Sequence, residues 1–384
     1  MKQTTSTLDC DVAVVGAGIV GISHALAAVR RGAKVVLLDA APKPVSASIR
    51  NFGFVTVTGQ ERHEMWPLAY RSRRVWAEVA DKAGIAIQQT GLIMAVRRPE
   101  AEAVLQAFME TEMGEQCELV SGPELATHAP GVPFGGVTAA LISPHEARVE
   151  AREAIPKLLT WLNESMGVQL LLSSPALQIM PGNVVTPDAT VKADKIFVCP
   201  GDHLSRLYPQ LAREMGVRPC KLQMLRLAPP GYRLPSPVMS DLGLVRYEGY
   251  ASLPEAAALK SRLVTEQSAH LEAGVHLIAV QSVDGSLVVG DSHDYSDPLD
   301  PFLRSDVDDL MLDEFQTVLG PVPAINERWV GTYAWSPDRN WFTCEVDPGV
   351  HVTVITCGAG MSTAFAIGED VVDAALNTAR PVAH

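Results

Sequence analysis

Basic charge is scarce in this chain. Its 384 residues carry 31 Lys and Arg against 44 Asp and Glu, a formal net charge of -13. Nucleic acid and anionic membrane surfaces both need a basic footprint, so the balance argues against either as the main partner. A small anion remains possible, because it feels only the field of its pocket. Paired cysteines are missing as well. Cys10, Cys117, Cys199, Cys220, Cys344 and Cys357 nowhere form CxxC, which speaks against a zinc or dithiol site and for buried thiols in a reducing compartment. No apolar run is long enough to span a bilayer, and the opening MKQTTSTLDC lacks the apolar stretch of a secretory signal. A cytoplasmic protein without a membrane partner is expected. Repeats and low-complexity tracts are absent too.

What is present is an ordinary globular balance, 47% hydrophobic and 20% charged, in a chain long enough for two domains. The stretch DCDVAVVGAGIVGISHALAAVRRGAKVVLLDA runs from Asp9 to Ala40. Val12 to Val15 reads as a parallel strand covered on both faces. Gly16, Gly18 and Gly21 follow as GxGxxG. The first permits a tight turn, the second lets backbone approach a pyrophosphate, and the third lets the helix pack on the strand. The helix, Ile19 to Arg31, points its first amides and its dipole at that phosphate. A second strand, Lys34 to Leu38, ends in Asp39, placed to accept hydrogen bonds from ribose hydroxyls and to disfavour a 2′-phosphate, and with it NADP. This unit alone does not separate NAD from FAD.

Three further stretches bear on that choice. SASIRNFGFVTVTGQ (46–60) is a small-residue loop that can lie against a flat ligand. KADKIFVCPGDHLSRL (192–207) is an apolar strand ending in Cys199-Pro200-Gly201, then a helix. HVTVITCGAGMSTAFAIGEDVVDAAL (351–376) is a second strand–glycine–helix cradle, whose helix N-terminus can face developing negative charge.

Taken in order, these segments resemble the D-amino-acid oxidase (DAO) family of FAD-dependent oxidoreductases, which includes glycine oxidase and monomeric sarcosine oxidase. The resemblance covers the whole chain. It implies an α/β fold: a Rossmann-like FAD-binding domain with a second α+β substrate domain on a mainly antiparallel sheet. The FAD-binding domain is expected at 1–88, 139–223 and 328–384, and the substrate domain at 89–138 and 224–327. The resemblance puts Val15, Gly16, Gly18, Ile19, Val20 and Gly21 at the pyrophosphate, and Asp39 with Ala40 at the adenosine ribose. Ser48, Arg50, Asn51, Phe52 and Gly53 would face the isoalloxazine. So would Gly358, Gly360, Met361, Ser362 and Thr363, with Thr363 a stabiliser of the reduced ring, and Cys199, Pro200 and Gly201 lie between the cradles. Some relatives attach FAD through a cysteine just before Tyr-x-x-[Ser/Thr]-Pro-Asp. In GTYAWSPD that position is Gly331, so non-covalent FAD is expected.

A narrower resemblance rests on RNFGFVTVTGQ, SPHEARVEAREAIPKL (143–158) and DGSLVVGDSHDY (284–295). These look like a subgroup linked with phosphonate breakdown. It implies oxidation of 2-aminoethylphosphonate or its N-methyl form by hydride transfer, giving phosphonoacetaldehyde and an amine, with O2 as acceptor and hydrogen peroxide as product. No protein base is obligatory for such chemistry, and none is assigned. Amino-acid oxidases of the family often carry a carboxylate-binding arginine where this chain has Tyr333. The 218–246 stretch is locally basic, so Arg226, Arg246 beside Tyr247, and Arg339 are the candidates for a substrate anion. His145 and His293 are candidate polar groups, and Tyr333 and Trp335 candidate walls. Asp291, His293 and Asp294 offer only two ligands on one strand face, too few for a metal. Three alternatives stay open: a glycine, sarcosine or D-amino-acid oxidase; a flavin dehydrogenase with a partner acceptor; and a non-catalytic nucleotide-binding sensor.

VHLIAVQSVDGSLVVGDSHDY (275–295) reads as a hairpin turning at Asp284-Gly285, and TGLIMAVRR (90–98) as a strand leading into a helix from Pro99.

Overall fold

A computed structural model describes residues 6–377. Its first sheet is nucleated by the Rossmann unit. Ser6–Val15 pairs in parallel with Val35–Leu38 on one side and Ala189–Val198 on the other. Gln169–Leu171 and Val350–Ile355 extend it in parallel, and Trp341–Asp347 closes the edge antiparallel. Side chains alternate between faces along a strand. Val12 and Val14 point into one buried cluster, with the helices Ile19–Arg30, Met65–Lys82, Ala151–Glu164 and Gly360–Asn377. Ala13 and Val15 point into another, beneath Val184, Leu204 and Ala212. This two-sided cover is why the first strand reads as an unbroken apolar run.

The second sheet is mixed and mainly antiparallel. Its strands run in the order Ile325–Trp335, Arg218–Leu227, Leu287–Gly290, Ile278–Gln281, Val238–Met239, Ile87–Val96, Ala139–Val149, Phe54–Val55, with Glu118–Ser121 added on Ala139–Val149. One face packs on the helix Ser305–Leu319. The other carries Phe52, Leu222, Met224, Ile278 and the ring of Tyr333. The hairpin expected at Asp284-Gly285 is present, with Ile278 opposite Gly290. The helix after Arg98 spans Pro99–Met109, opened by proline in its first turn.

The second sheet draws strands from the segments of both expected domains. Ala139–Val149 pairs along almost its whole length with Ile87–Val96, and Arg218–Leu227 with Ile325–Trp335. Residues 139–149, 218–223 and 328–335 therefore belong to the second sheet, because antiparallel partners share one ladder wherever they fall in the chain. The two sheets meet where Trp335 bridges to Cys357. Among the described residues, no helix is long and apolar enough to cross a membrane.

Candidate functional site

A cavity of about 840 Å³ runs between the sheets. One end is built by the glycine turn. Gly16 has φ +111°, and a Cβ there would sit 2.5 Å from the Cys199 carbonyl oxygen. Asp39 Oδ2 accepts the Ala17 N–H at 2.7 Å and Oδ1 the Ala41 N–H at 2.8 Å. Ser48 Oγ accepts the first helical amide, Ile19 N–H, at 2.9 Å, tying the 46–60 loop to the helix N-terminus. The Gly360–Asn377 helix brings a second N-terminus to the same cavity.

Most residues singled out from sequence line this cavity. They include Val15, Gly16, Gly18, Ile19, Val20, Asp39, Ala40, Ser48, Arg50, Asn51 and Phe52. Cys199, Pro200, Gly201, Gly331, Gly358, Gly360, Met361 and Ser362 join them from distant segments. Three glycine-cradle candidates stand behind the wall instead. Gly21 lies against the turn, where a Cβ would meet Gly16 O at 1.7 Å; Gly53 (φ +68°) lies against Val149 O at 1.8 Å. Thr363 is buried, and its hydroxyl donates to Ala359 O at 2.9 Å, back along its own helix. Its hydroxyl thus donates to a residue that itself lines the cavity.

Of the substrate candidates, Arg246, Tyr247, His293, Tyr333 and Trp335 line the inner end. Arg226 does not. It sits in an ion-pair group with Glu150 at 3.6 Å and Glu327 at 3.7 Å and donates to Ser286 Oγ at 2.9 Å. Arg339 is exposed on the loop after the long strand, outside the cavity. His145 contacts the Glu115 carbonyl at 2.8 Å and packs on Tyr70, also outside. Alternation gives Arg226 the same face as Leu222 and Met224, but it lies further along the strand, at the sheet rim, where its guanidinium reaches Glu150 and Glu327.

Arg246 donates from Nη2 to Tyr295 Oη at 3.0 Å. Among the described residues, no carboxylate forms an ion pair with it. Burial works against its charge, but Tyr295, Tyr333 and Asp291 offset this and hold its pKa above the ordinary arginine value. Beside it lie Asp291, His276 and His293. Burial raises the Asp291 carboxyl to about 7, with Arg246 acting the other way. Burial and Arg246 hold both histidines well below the usual value, hence neutral.

His276 escaped the sequence reading, which counted two ligating groups here; the structure brings three, with their ligand atoms within 4.8 Å of one another. The signal was available. The hairpin register, continued beyond Ile278 opposite Gly290, puts His276 beside the 291–293 stretch, where its N–H bonds Asp291 O. The guanidinium of Arg246 works against a divalent ion at this position.

The residues fit FAD. The cavity is long enough in outline to join an acid-tipped second strand, a glycine turn that a Cβ would close, and two helix N-termini. The family model for FAD dependent oxidoreductases (DAO) matches residues 11–374, and the chain belongs to that family. A curated relative, monomeric sarcosine oxidase from Bacillus sp. (strain B-0618), is 25% identical over 217 residues, which are 54% of this chain and 55% of the relative. The match thus spans about half of that relative's length. Glycine oxidase from Bacillus cereus ATCC 14579 superposes with a TM-score of 0.76 at 16% identity, covering 98% of this chain and 100% of that one. L-proline dehydrogenase from P. horikoshii does so with 0.76 at 17%, covering 98% and 95%. Identities this low establish a shared fold.

Proposed function

We propose that this FAD-dependent oxidoreductase oxidises the C–N bond of a small amine that also carries an anionic group, with O2 as electron acceptor. The observation that carries the reading is Arg246, a guanidinium in the wall of the cavity that hydrogen-bonds Tyr295 and that no carboxylate among the described residues pairs. FAD, when bound, supplies a two-electron acceptor for the C–H bond next to the amine nitrogen. The chain's own work is binding and orientation. Arg246 holds the anion, and the rings of Tyr247, Tyr295, Tyr333 and Trp335 wall the inner end and exclude water. Asp39 and the Gly16–Gly18 turn would hold the ribose and pyrophosphate. Arg50 to Phe52 and Gly358 to Ser362 would hold the isoalloxazine. The first sheet serves the cofactor and the second the substrate. FAD is held without a covalent bond.

The substrate is an aminoalkylphosphonate, 2-aminoethylphosphonate or its N-methyl form; with one O2 and one water, which hydrolyses the imine, it gives phosphonoacetaldehyde, ammonia or methylamine, and hydrogen peroxide. Three features support it: the phosphonate-linked stretches, tyrosine where relatives hold a carboxylate, and the match of guanidinium to a multidentate anion. The curated relative's name favours the second reading, an N-methyl or primary amino-acid substrate. Anaerobic mixing of the yellow holoenzyme with N-methyl-2-aminoethylphosphonate, 2-aminoethylphosphonate, sarcosine, glycine and D-alanine decides between them. Bleaching by the phosphonates alone is expected. Faster bleaching by the carboxylates would keep amine oxidation and discard the phosphonate.

A further inference from the structure

Asp291, His276 and His293 form a buried cluster in the cavity wall that anion binding leaves without a role. Its hydrogen-bond inventory is one-sided. His293 Nδ1 lies 3.0 Å from the Gly274 carbonyl, which can only accept. That nitrogen therefore carries the proton, and Nε2 of the neutral ring is a bare acceptor. This acceptor is 3.8 Å from Asp291 Oδ2. Asp291 Oδ1 is 3.3 Å from His276 Nε2, yet it is buried with no hydrogen-bond partner. A carboxylate oxygen without a hydrogen bond and an imidazole lone pair thus face each other at the edge of the cavity, with His276 Nε2 beside them, 3.5 Å from Tyr247 Oη. A buried acceptor left without a donor is costly, so the cluster is suited to receive a proton or a cationic N–H.

Arg246 lies close enough to bias all three groups, yet it does not close on Asp291. The wall therefore offers a fixed positive charge and a donor-seeking acid side by side. That is the complement of a short zwitterion, an anion at one end and an ammonium at the other. An amine that must be oxidised through its lone pair cannot react as ammonium, the form in which most aliphatic amines arrive at neutral pH.

We infer that Asp291 is the group that accepts the proton of the substrate ammonium, with His293 and His276 as positioning residues. The inference rests on the amine-oxidation reading. In the step, one N–H bond of the ammonium breaks and one O–H bond forms on Asp291; the N–H electron pair stays on nitrogen as the lone pair. No electron changes owner. The titratable groups facing Asp291 are Arg246 and Tyr247 from the segment after Leu244, His276 and His293 from the hairpin, and Cys220 from the Arg218–Leu227 strand; Tyr295 and Tyr333 act through Arg246.

The test is the pH profile of anaerobic flavin reduction, with rate and apparent dissociation constant separated by varying 2-aminoethylphosphonate, or whichever amine bleaches the wild type fastest. In the wild type the limiting rate should climb about tenfold per pH unit below a midpoint near 7 and then level off. Asp291→Asn should lower the limiting rate about 10²-fold or more and remove that midpoint, leaving a rise toward the amine's own pKa. Asp291→Glu should restore a midpoint. Should Asp291→Asn lose its flavin, His293→Asn carries the test: its amide can donate where the imidazole only accepted, so the midpoint should move down. A midpoint unmoved in both variants overturns the inference while leaving amine oxidation intact. A wild type bleached by no amine overturns both. A stoichiometric divalent metal in the purified holoenzyme, lost with activity on chelation, would overturn it in favour of a cation site.

Discussion

The carboxylate of Asp39 accepts the backbone N–H of Ala17 at 2.7 Å, which ties the acid closing the second strand to the turn closing the first. The two meet because Val15 and Leu38 are in register in a parallel pair. The same carboxylate keeps lone pairs for ribose hydroxyls. Asp39→Ala is expected to weaken FAD binding about 10- to 100-fold, as one or two charge-assisted hydrogen bonds are lost. Fluorescence of free flavin at equilibrium measures this. An unchanged affinity would remove Asp39 from the cofactor site.

Arg246→Met should raise the dissociation constant of an anionic amine about 100-fold, with a smaller effect on the limiting rate of flavin reduction. Arg339→Ala, an exposed position outside the cavity, should leave both within about twofold. Equal effects of the two variants would relocate the anion site.

Acid precipitation should release all FAD into the supernatant. Two thiols do line the cavity, Cys199 and Cys357, but burial raises both, Cys357 to about 11, so neither is a ready thiolate. Flavin that stays with the pellet would contradict non-covalent binding.

Stability should fall in mild acid through His24. Its Nδ1 faces Val20 O at 2.8 Å and its Nε2 faces Thr353 Oγ1 at 3.2 Å, and complete burial lowers its pKa to about 4. The unfolded chain takes up this proton near 6.5, the folded chain only near 4. The unfolded state therefore gains relative to the folded one as pH drops between those values, by about 3 kcal/mol in the limit. Urea unfolding of the holoenzyme at pH 7 and pH 5 should show the loss, and His24→Gln should show less of it. Equal slopes for the two proteins would count against the assignment.

Local order carried the cofactor half of the site. Strand, glycine turn, helix and acid follow one another within 9–40, so sequence spacing alone sets their geometry. The same holds for the second cradle at 351–376. Chemical type, by contrast, misplaced several residues. Arg226 and Arg246 look alike in sequence, but one sits near the end of its strand, among Glu150 and Glu327, while the other lies beside Tyr295. Thr363 is buried behind the cavity wall, where its hydroxyl donates to Ala359 O.

The sequence by itself determined the family and the cofactor, and it marked the segments that line one end of the cavity, because each is a contiguous pattern read at short range. Only the tertiary structure decided what lines the inner end of the cavity. Arg246, Tyr333 and the hairpin pair His276 and Asp291 come from three separate stretches, and sequence spacing brings together only the hairpin pair. Antiparallel pairing does, by laying Arg218–Leu227 between Ile325–Trp335 and the hairpin and so converging these side chains on one buried face. Burial then does what no residue type announces: removed from water, the same aspartate and histidines change their proton affinities and become a site.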